Sequence, residues 1–246
     1  MGTFKDSLKK WFYTEDTSPS VGDTTRIPLL DANGEPIGSR TLQDLQVVYP
    51  LLSNVFVAGI TSNKPVLAHL SQSNLAYVIA NAIGVGVMEG GHALIVAKDQ
   101  YSSLAWATSE VSGGTTAITT TDKALLDFSG KAKTSTIYTT LGSDAPAAKK
   151  CLEYYPSNVD SGHGLVGAGQ WWLPSLGELA MIGSHWDAIN YILRLIGGTE
   201  LSGALLSSTE YSSRYVWRFT GTQYGHGSSK TATSSNIRPV ASISIY

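Results

Sequence analysis

Trp171-Trp172-Leu173-Pro174-Ser175-Leu176-Gly177-Glu178-Leu179 is the stretch on which the reading of this chain turns. Pro174 blocks helix continuation from upstream, and Ser175 with Glu178 three residues later spells a capping box for the helix that follows. That helix turns Leu176, Leu179 and Ile182 inward. A second helix is predicted over residues 187–196, where Ile189, Ile192, Leu193 and Ile196 give an i, i+3, i+4, i+7 stripe. Gly197-Gly198 supplies its stop. Beyond Leu205 short strands alternate with Gly-rich turns. Residues 240–246 alternate apolar and polar, as a closing strand does.

A second set of motifs lies downstream. Leu206-Ser207-Ser208-Thr209-Glu210-Tyr211 is followed by Val216-Trp217-Arg218-Phe219 and then by Ile237-Arg238-Pro239-Val240. Residues 211–240 are dominated by Ser, Thr and Gly, with Tyr, Arg and His scattered among them and no Asp or Glu. The order WxLPSxxEL, helical insert, SSTE, a run around an aromatic strand, and RPV resembles the variable proteins of diversity-generating retroelements. Each motif is short; the four in this order with compatible spacing carry the resemblance, which covers roughly residues 85–246. It implies an α+β fold, a C-type lectin-like domain of short twisted antiparallel strands with two or three helices. It also implies a segment, about residues 207–240, whose coding DNA a reverse transcriptase rewrites at adenines, so that the resulting side chains form a binding surface.

The totals narrow the function classes. Charged residues make up 15% of the chain and the net charge is −2, which argues against a nucleic-acid binder held by phosphate contacts. No apolar run approaches the ~18 residues of a membrane span, so no membrane insertion is expected. Cys151 is the one cysteine, so no intrachain disulfide can form. It falls on the apolar face of a helix predicted to end near Tyr155, with Asp144 as N-cap and Pro146 in the first turn, and reads as a core residue. Met1-Gly2-Thr3-Phe4-Lys5-Asp6 contains no apolar signal core, so export by a signal peptide is not expected. A virion part released by lysis fits that expectation.

Three regions are expected. Residues 1–45 would hold a short amphipathic helix over 4–13, a linker over 14–25, and a hairpin turned at Asn33-Gly34; their expected role is attachment or oligomerisation. Residues 46–84 read as a connecting and packing segment with a helix or mixed segment over 73–83. Residues 85–246 form the ligand-binding domain. Within it, residues 93–97 (Ala-Leu-Ile-Val-Ala) suit a strand buried on both faces. Residues 112–140, rich in Thr, Gly and Ser, read as a long loop with short strands. Trp217 and Phe219 are expected to pack inward. Of Trp171 and Trp172, one should be core and the other near the surface.

Patterns that carry chemistry are weak. Gly162-His163-Gly164-Leu165-Val166-Gly167 matches G-x-G-x-x-G literally, but no strand precedes it and no helix follows. None of His69, His92, His163, His185 and His226 has metal-ligand spacing. Calcium-dependent sugar binding needs clustered hard oxygen ligands, and the Glu-Pro-Asn and Gln-Pro-Asp triplets of calcium lectins are absent. Hence no metal, no cofactor and no catalytic residue is expected. An enzyme on a lectin-like scaffold, as formylglycine-generating enzymes are, would rely on active-site cysteines.

Binding is expected from residues 212–229. Tyr215 and Tyr224 offer rigid aromatic contacts, Arg214 and Arg218 multidentate donors, and His226 a further polar ring, with small neighbours between them. The candidates are Ser213, Arg214, Tyr215, Arg218, Thr220, Thr222, Tyr224, Gly225, His226, Gly227, Ser228 and Ser229. Arg214, Tyr215, Tyr224 and His226 should share one exposed face. Mutating the adenines of asparagine-type codons cannot reach Gln, Lys, Glu or Trp, so the resemblance implies that Gln223, Lys230, Glu210 and Trp217 are scaffold. Arg238 should hydrogen-bond within the scaffold. The function implied is a receptor-binding protein in the virion, at a phage tail tip, forming a homo-oligomer such as a trimer and recognising a bacterial cell-surface protein or glycan. The alternative is a bacterial surface adhesin of the same fold.

Overall fold

The Asn33-Gly34 turn signal has a strand on either side. β1 (Arg26–Leu30) pairs antiparallel with β2 (Pro36–Thr41), Arg26 lying opposite Thr41. This hairpin belongs to the first of two compact units, Met1–Pro50; the second is Leu51–Tyr246. The computed structural model describes residues 26–30, 36–41, 54–61, 64–70 and 75–242, with side chains from 54 onward. The helix predicted over 4–13, the linker over 14–25 and the last four residues of the closing strand lie outside the described residues.

In the second unit, β3 (Val55–Thr61), β4 (Lys64–Ala68), helix α1 (Leu75–Ala80), β5 (Ala82–Glu89) and β6 (His92–Ala97) follow in sequence. With β7 (Trp171–Trp172) and β11 (Val240–Ser242) the strands build a six-stranded sheet of order β4-β3-β5-β6-β11-β7. Every pairing in it is antiparallel. The apolar run 93–97 is explained by its place: β6 lies between β5 and β11, and Leu94 to Ala97 are at most 5% exposed. β5 straddles the boundary that the sequence suggests at residue 84. Residues 54–84 are thus not a connector beneath a separate domain. They supply strands to the same sheet, and the unit begins at Leu51.

The second sheet, of order β10-β9-β8, has three strands: β8 (Leu205–Glu210), β9 (Tyr215–Phe219) and β10 (Tyr224–Ser229). Between the sheets' strands the chain forms α2 (Thr121–Leu125), α3 (Gly130–Leu141), α4 (Pro146–Leu152), α5 (Leu176–Ser184) and α6 (Trp186–Leu195). The architecture is α+β with antiparallel sheets and short helices. Five helices occupy residues 85–246 where two or three were expected, because α2 and α3 lie in the Thr/Gly/Ser-rich stretch read as a loop.

α5 and α6 follow their sequence signals. The Glu178 carboxylate accepts the Ser175 N–H at 2.7 Å, closing the reach of the capping box. Ile189, Ile192 and Leu193 are fully buried and Ile196 is 6% exposed. Gly197, at φ +67°, ends the helix, and Gly198 N–H returns to Leu193 O at 2.7 Å. Pro146 opens α4, but Asp144 is not its cap. Asp144 sits in a 3₁₀ turn, where its carboxylate accepts the Thr108 hydroxyl.

One core cluster contains Trp106, Ile137, Cys151, Leu173, Leu206, Val216 and Ile237. Trp171 and Trp172 are both buried, at 0% and 4% exposure, against the expectation of one inside and one outside. Alternation still sends them to opposite faces, but both faces of β7 are covered. Trp171 meets Tyr154 edge-on at 4.8 Å and donates to Val166 O. Trp172 donates its indole N–H to Glu178 at 3.1 Å, with Lys131 over its ring.

Candidate functional site

Most motif side chains are hydrogen-bonded inside the fold, although among the described residues the buried Ser208 hydroxyl and Arg238 Nε have no partner. Thr209 Oγ1 donates to the Asp127 carboxylate at 2.6 Å and accepts the Leu176 N–H at 2.9 Å. Ser175 Oγ donates to Asp127 O. Ser207 O receives the Trp106 indole N–H. Glu210 accepts the Gly113 and Thr115 N–H groups, the Thr115 hydroxyl, and the Lys230 ammonium. Lys230 also donates to Val111 O at 2.7 Å and lies over the Trp106 ring. Arg238, 0% exposed, donates to Ala97 O, Thr199 O and Gln100 Oε1, which is the scaffold role expected of it.

Burial sets the electrostatics of these groups. It pulls the Arg238 guanidinium down to about 10, which leaves it charged at neutral pH. Burial also raises the Glu178 carboxyl, against the opposing pull of Ser175 and Trp172. At Asp127 burial acts upward too, but the hydrogen bonds from Lys133, Ser129 and Thr209 outweigh it and hold the carboxyl below its ordinary range. At Lys230 burial lowers the ammonium more than Glu210 raises it.

Between these bonded motifs lies the β9–β10 ribbon. Its register pairs Tyr224 with Phe219, Gly225 with Arg218 and His226 with Trp217, then shifts, so that Ser228 faces Val216 and Ser229 faces Tyr215. The shift is a bulge at Gly227, whose φ of +118° suits glycine. Period-two alternation thereby puts Tyr215, Trp217, Phe219, Tyr224, His226 and Ser229 on one face, and Val216, Arg218, Gly225 and Ser228 on the other.

The candidate residues fall into several places. Tyr224 and His226 are exposed on the outer strand, where Tyr224 stacks on Phe219 at 5.0 Å and His226 stacks on Tyr211 at 4.1 Å. Gly225 and Arg218 are half-buried on the opposite face. Ser213 and Arg214 are exposed in the β8–β9 turn, with Tyr215 and Ser229 half-buried beside it. Thr220 and Thr222 are exposed in the β9–β10 turn, and Gly227 is exposed at the bulge. Tyr215, Tyr224 and His226 thus share a face, whereas Arg214 stands in the turn before the strand. The set wraps the β10 edge instead of filling one face.

Ser228 does not belong to the exposed set, being 4% exposed. The bulge reverses alternation after His226 and sends Ser228 to the core side with Val216. Trp217 and Phe219 are buried, at 1% and 3%, as expected. Glu210 and Lys230 are buried too, while Gln223 is exposed.

Two features were not visible in the sequence. Glu110, from another loop, accepts Arg214 Nε at 2.7 Å and lies 3.4 Å from the Ser229 hydroxyl. An acid-free segment is therefore not an acid-free surface. The other is a cleft of about 520 Å³ between the β9–β10 turn, the α5–α6 junction and the 201–203 loop. Nothing in the spacing of His185, Trp186 and Asp187 signalled it. Among the described residues no group of three or more His, Cys, Asp or Glu side chains could hold a metal ion. Nor is any described helix long and apolar enough to cross a membrane.

No protein-family model matches the chain. No curated protein matches it. Among solved structures it is similar to a fimbrial protein from Bacteroides ovatus ATCC 8483, with a TM-score of 0.50 at 18% identity. The likeness covers 76% of this chain and 48% of that one, so the chain spans about half the length of its structural neighbour. At that identity the likeness is one of fold.

Proposed function

We propose that residues 85–246 carry a C-type lectin-like ligand-binding surface of the kind diversity-generating retroelements diversify, formed by the rim of the β9–β10 ribbon. The protein is then a receptor-binding component of a phage tail tip, and its partner is a bacterial surface protein or glycan. One observation carries this reading. Most motif side chains spend their hydrogen bonds inside the fold, while most of the side chains between the motifs meet solvent. Such a segment accepts substitution at little cost in stability. Its Tyr, Arg, His, Ser and Gly supply rigid contacts and adaptable neighbours.

The reading is of binding without catalysis. Cys151 is 0% exposed, and burial drives its thiol far above the ordinary range, so it is no ready nucleophile. Several copies at a symmetric tail tip would add avidity to weak sites, and a trimer suits that geometry.

The test is adsorption of the labelled full chain to bacterial cells. Replacing Arg214, Tyr224 and His226 together with alanine should weaken adsorption by about tenfold or more, as hot-spot truncation does, at an unchanged melting temperature. Undiminished adsorption across a panel of hosts would reject the surface. A template copy in flanking DNA should differ from the gene within the codons for residues 213–229, and differences confined elsewhere would reject diversification. A second reading, a bacterial surface adhesin, draws on the fold shared with the fimbrial protein; cell-surface genes beside this one in place of tail genes would favour it.

A further inference from the structure

We infer that the cleft beside the ribbon takes a neutral saccharide unit, held without a metal ion. The inference rests on the proposed display function, since Thr220 and Thr222 belong both to the ribbon's rim and to the cleft wall. The cleft's volume, about 520 Å³, falls within the range of small-molecule sites and has room for one or two sugar rings. His185, Trp186, Asp187, Ser202, Thr220 and Thr222 line it.

The lining selects the ligand class. The Trp186 ring is half-buried and borders the cleft. Phe219 meets it edge-on at 5.7 Å, and a methyl group added at Gly221 would come within 3.7 Å of it. A ring fixed by its neighbours and bordering open space is a platform for a flat apolar face. Around it stand unused polar groups. The Asp187 carboxylate, the Trp186 indole N–H and the Thr222 hydroxyl have no hydrogen-bond partner among the described residues. They supply an acceptor, a donor, and a group that does both.

Charge narrows the class further. No Lys or Arg lines the cleft, so a phosphate or carboxylate ligand would meet Asp187 with no cation to offset it. His185 Nε2 already pairs with Glu89 at 3.0 Å. A ligand with one apolar face and a ring of neutral hydroxyls uses every feature, and a pyranose has that form. Its C–H face would lie on Trp186, and its hydroxyls would reach Asp187 and the threonines.

The experiment is saturation-transfer NMR and calorimetry on the full chain in EDTA. The probes are the methyl pyranosides of glucose, galactose, mannose, N-acetylglucosamine and rhamnose. At least one should bind. Asp187→Ala, which removes the acceptor, and Ser202→Phe, which fills the cleft, should each weaken it by about tenfold or more at an unchanged melting temperature. Tyr77→Ala, at an exposed position on α1 outside the cleft lining, should leave sugar binding unchanged. Binding of none of the five sugars, or wild-type binding by both cleft variants, overturns the inference. Cell adsorption separates this from the display reading. If ribbon variants lose cells while the cleft proves silent, the display reading stands and the saccharide site falls. If ribbon variants keep cells while cleft variants lose sugar, the display reading falls and the saccharide site stands alone.

Discussion

Glu210 and Lys230 face each other with side-chain exposures of 1% and 0%. Two buried charges are tolerable only when each is fully bonded, and here backbone N–H groups and the Val111 carbonyl complete both shells. Removing one partner strands the other. Glu210→Ala should therefore cost roughly 3–5 kcal/mol in urea denaturation. Glu210→Gln combined with Lys230→Met should recover the greater part, because the amide oxygen still accepts from the backbone and no charge is left unpaired. A double variant no more stable than Glu210→Ala would show that the stability comes from elsewhere. Glu210 was legible as scaffold, but its partners were not. The same holds for Arg214, a plausible contact from its chemistry alone, whose pairing with Glu110 depends on a loop far away in sequence.

At the scale of elements, α3 shows why the Thr-rich stretch misled. Its 12 residues, Gly-Lys-Ala-Lys-Thr-Ser-Thr-Ile-Tyr-Thr-Thr-Leu, carry a weak apolar stripe and several poor helix formers. Tertiary bonds compensate. The buried Thr134 hydroxyl donates to Gly130 O at 2.8 Å and accepts the Leu173 N–H at 3.1 Å. Gly130 is needed beside it, since a methyl there would sit 2.1 Å from Glu178 Oε2. Thr134→Val keeps the shape but orphans the Leu173 N–H, and should cost ~1–3 kcal/mol, read from the denaturation midpoint. A cost near zero would mean that the helix stands on its apolar contacts alone. α5 and α6, by contrast, were legible because caps and stripes are local. The bulge at Gly227 was not, and one unpaired residue was enough to move Ser228 from the surface to the core.

Across the whole molecule, Asp127 ties distant parts together. It bonds Lys133 on α3 and Thr209 on β8, while its carbonyl holds Ser175 at the start of α5. Its carboxyl pKa is depressed in the fold, so it contributes stability at pH values above its unfolded value of about 3.9. That contribution is lost as pH falls through the folded value. The denaturation midpoint should drop on acidification below about pH 4, and Asp127→Asn should flatten that acid-side slope. Glu178 runs the other way, because burial raises it and its carboxylate costs stability as pH rises past about 4.3; the Asp127 variant isolates the acid limb. What the sequence determined alone was local: the capped helix at Ser175, the apolar face of α6, the hairpin around Asn33-Gly34, the enclosed strand at 93–97, and a segment poor in acids between bonded motifs. Each follows from residues a few positions apart, where backbone geometry dictates which side chains meet. Tertiary structure alone decided which charges pair, which side of β10 each residue takes, and that Trp186 borders a cleft beside Thr220. Those outcomes depend on residues remote in the chain and on a one-residue register shift, and no local periodicity encodes either.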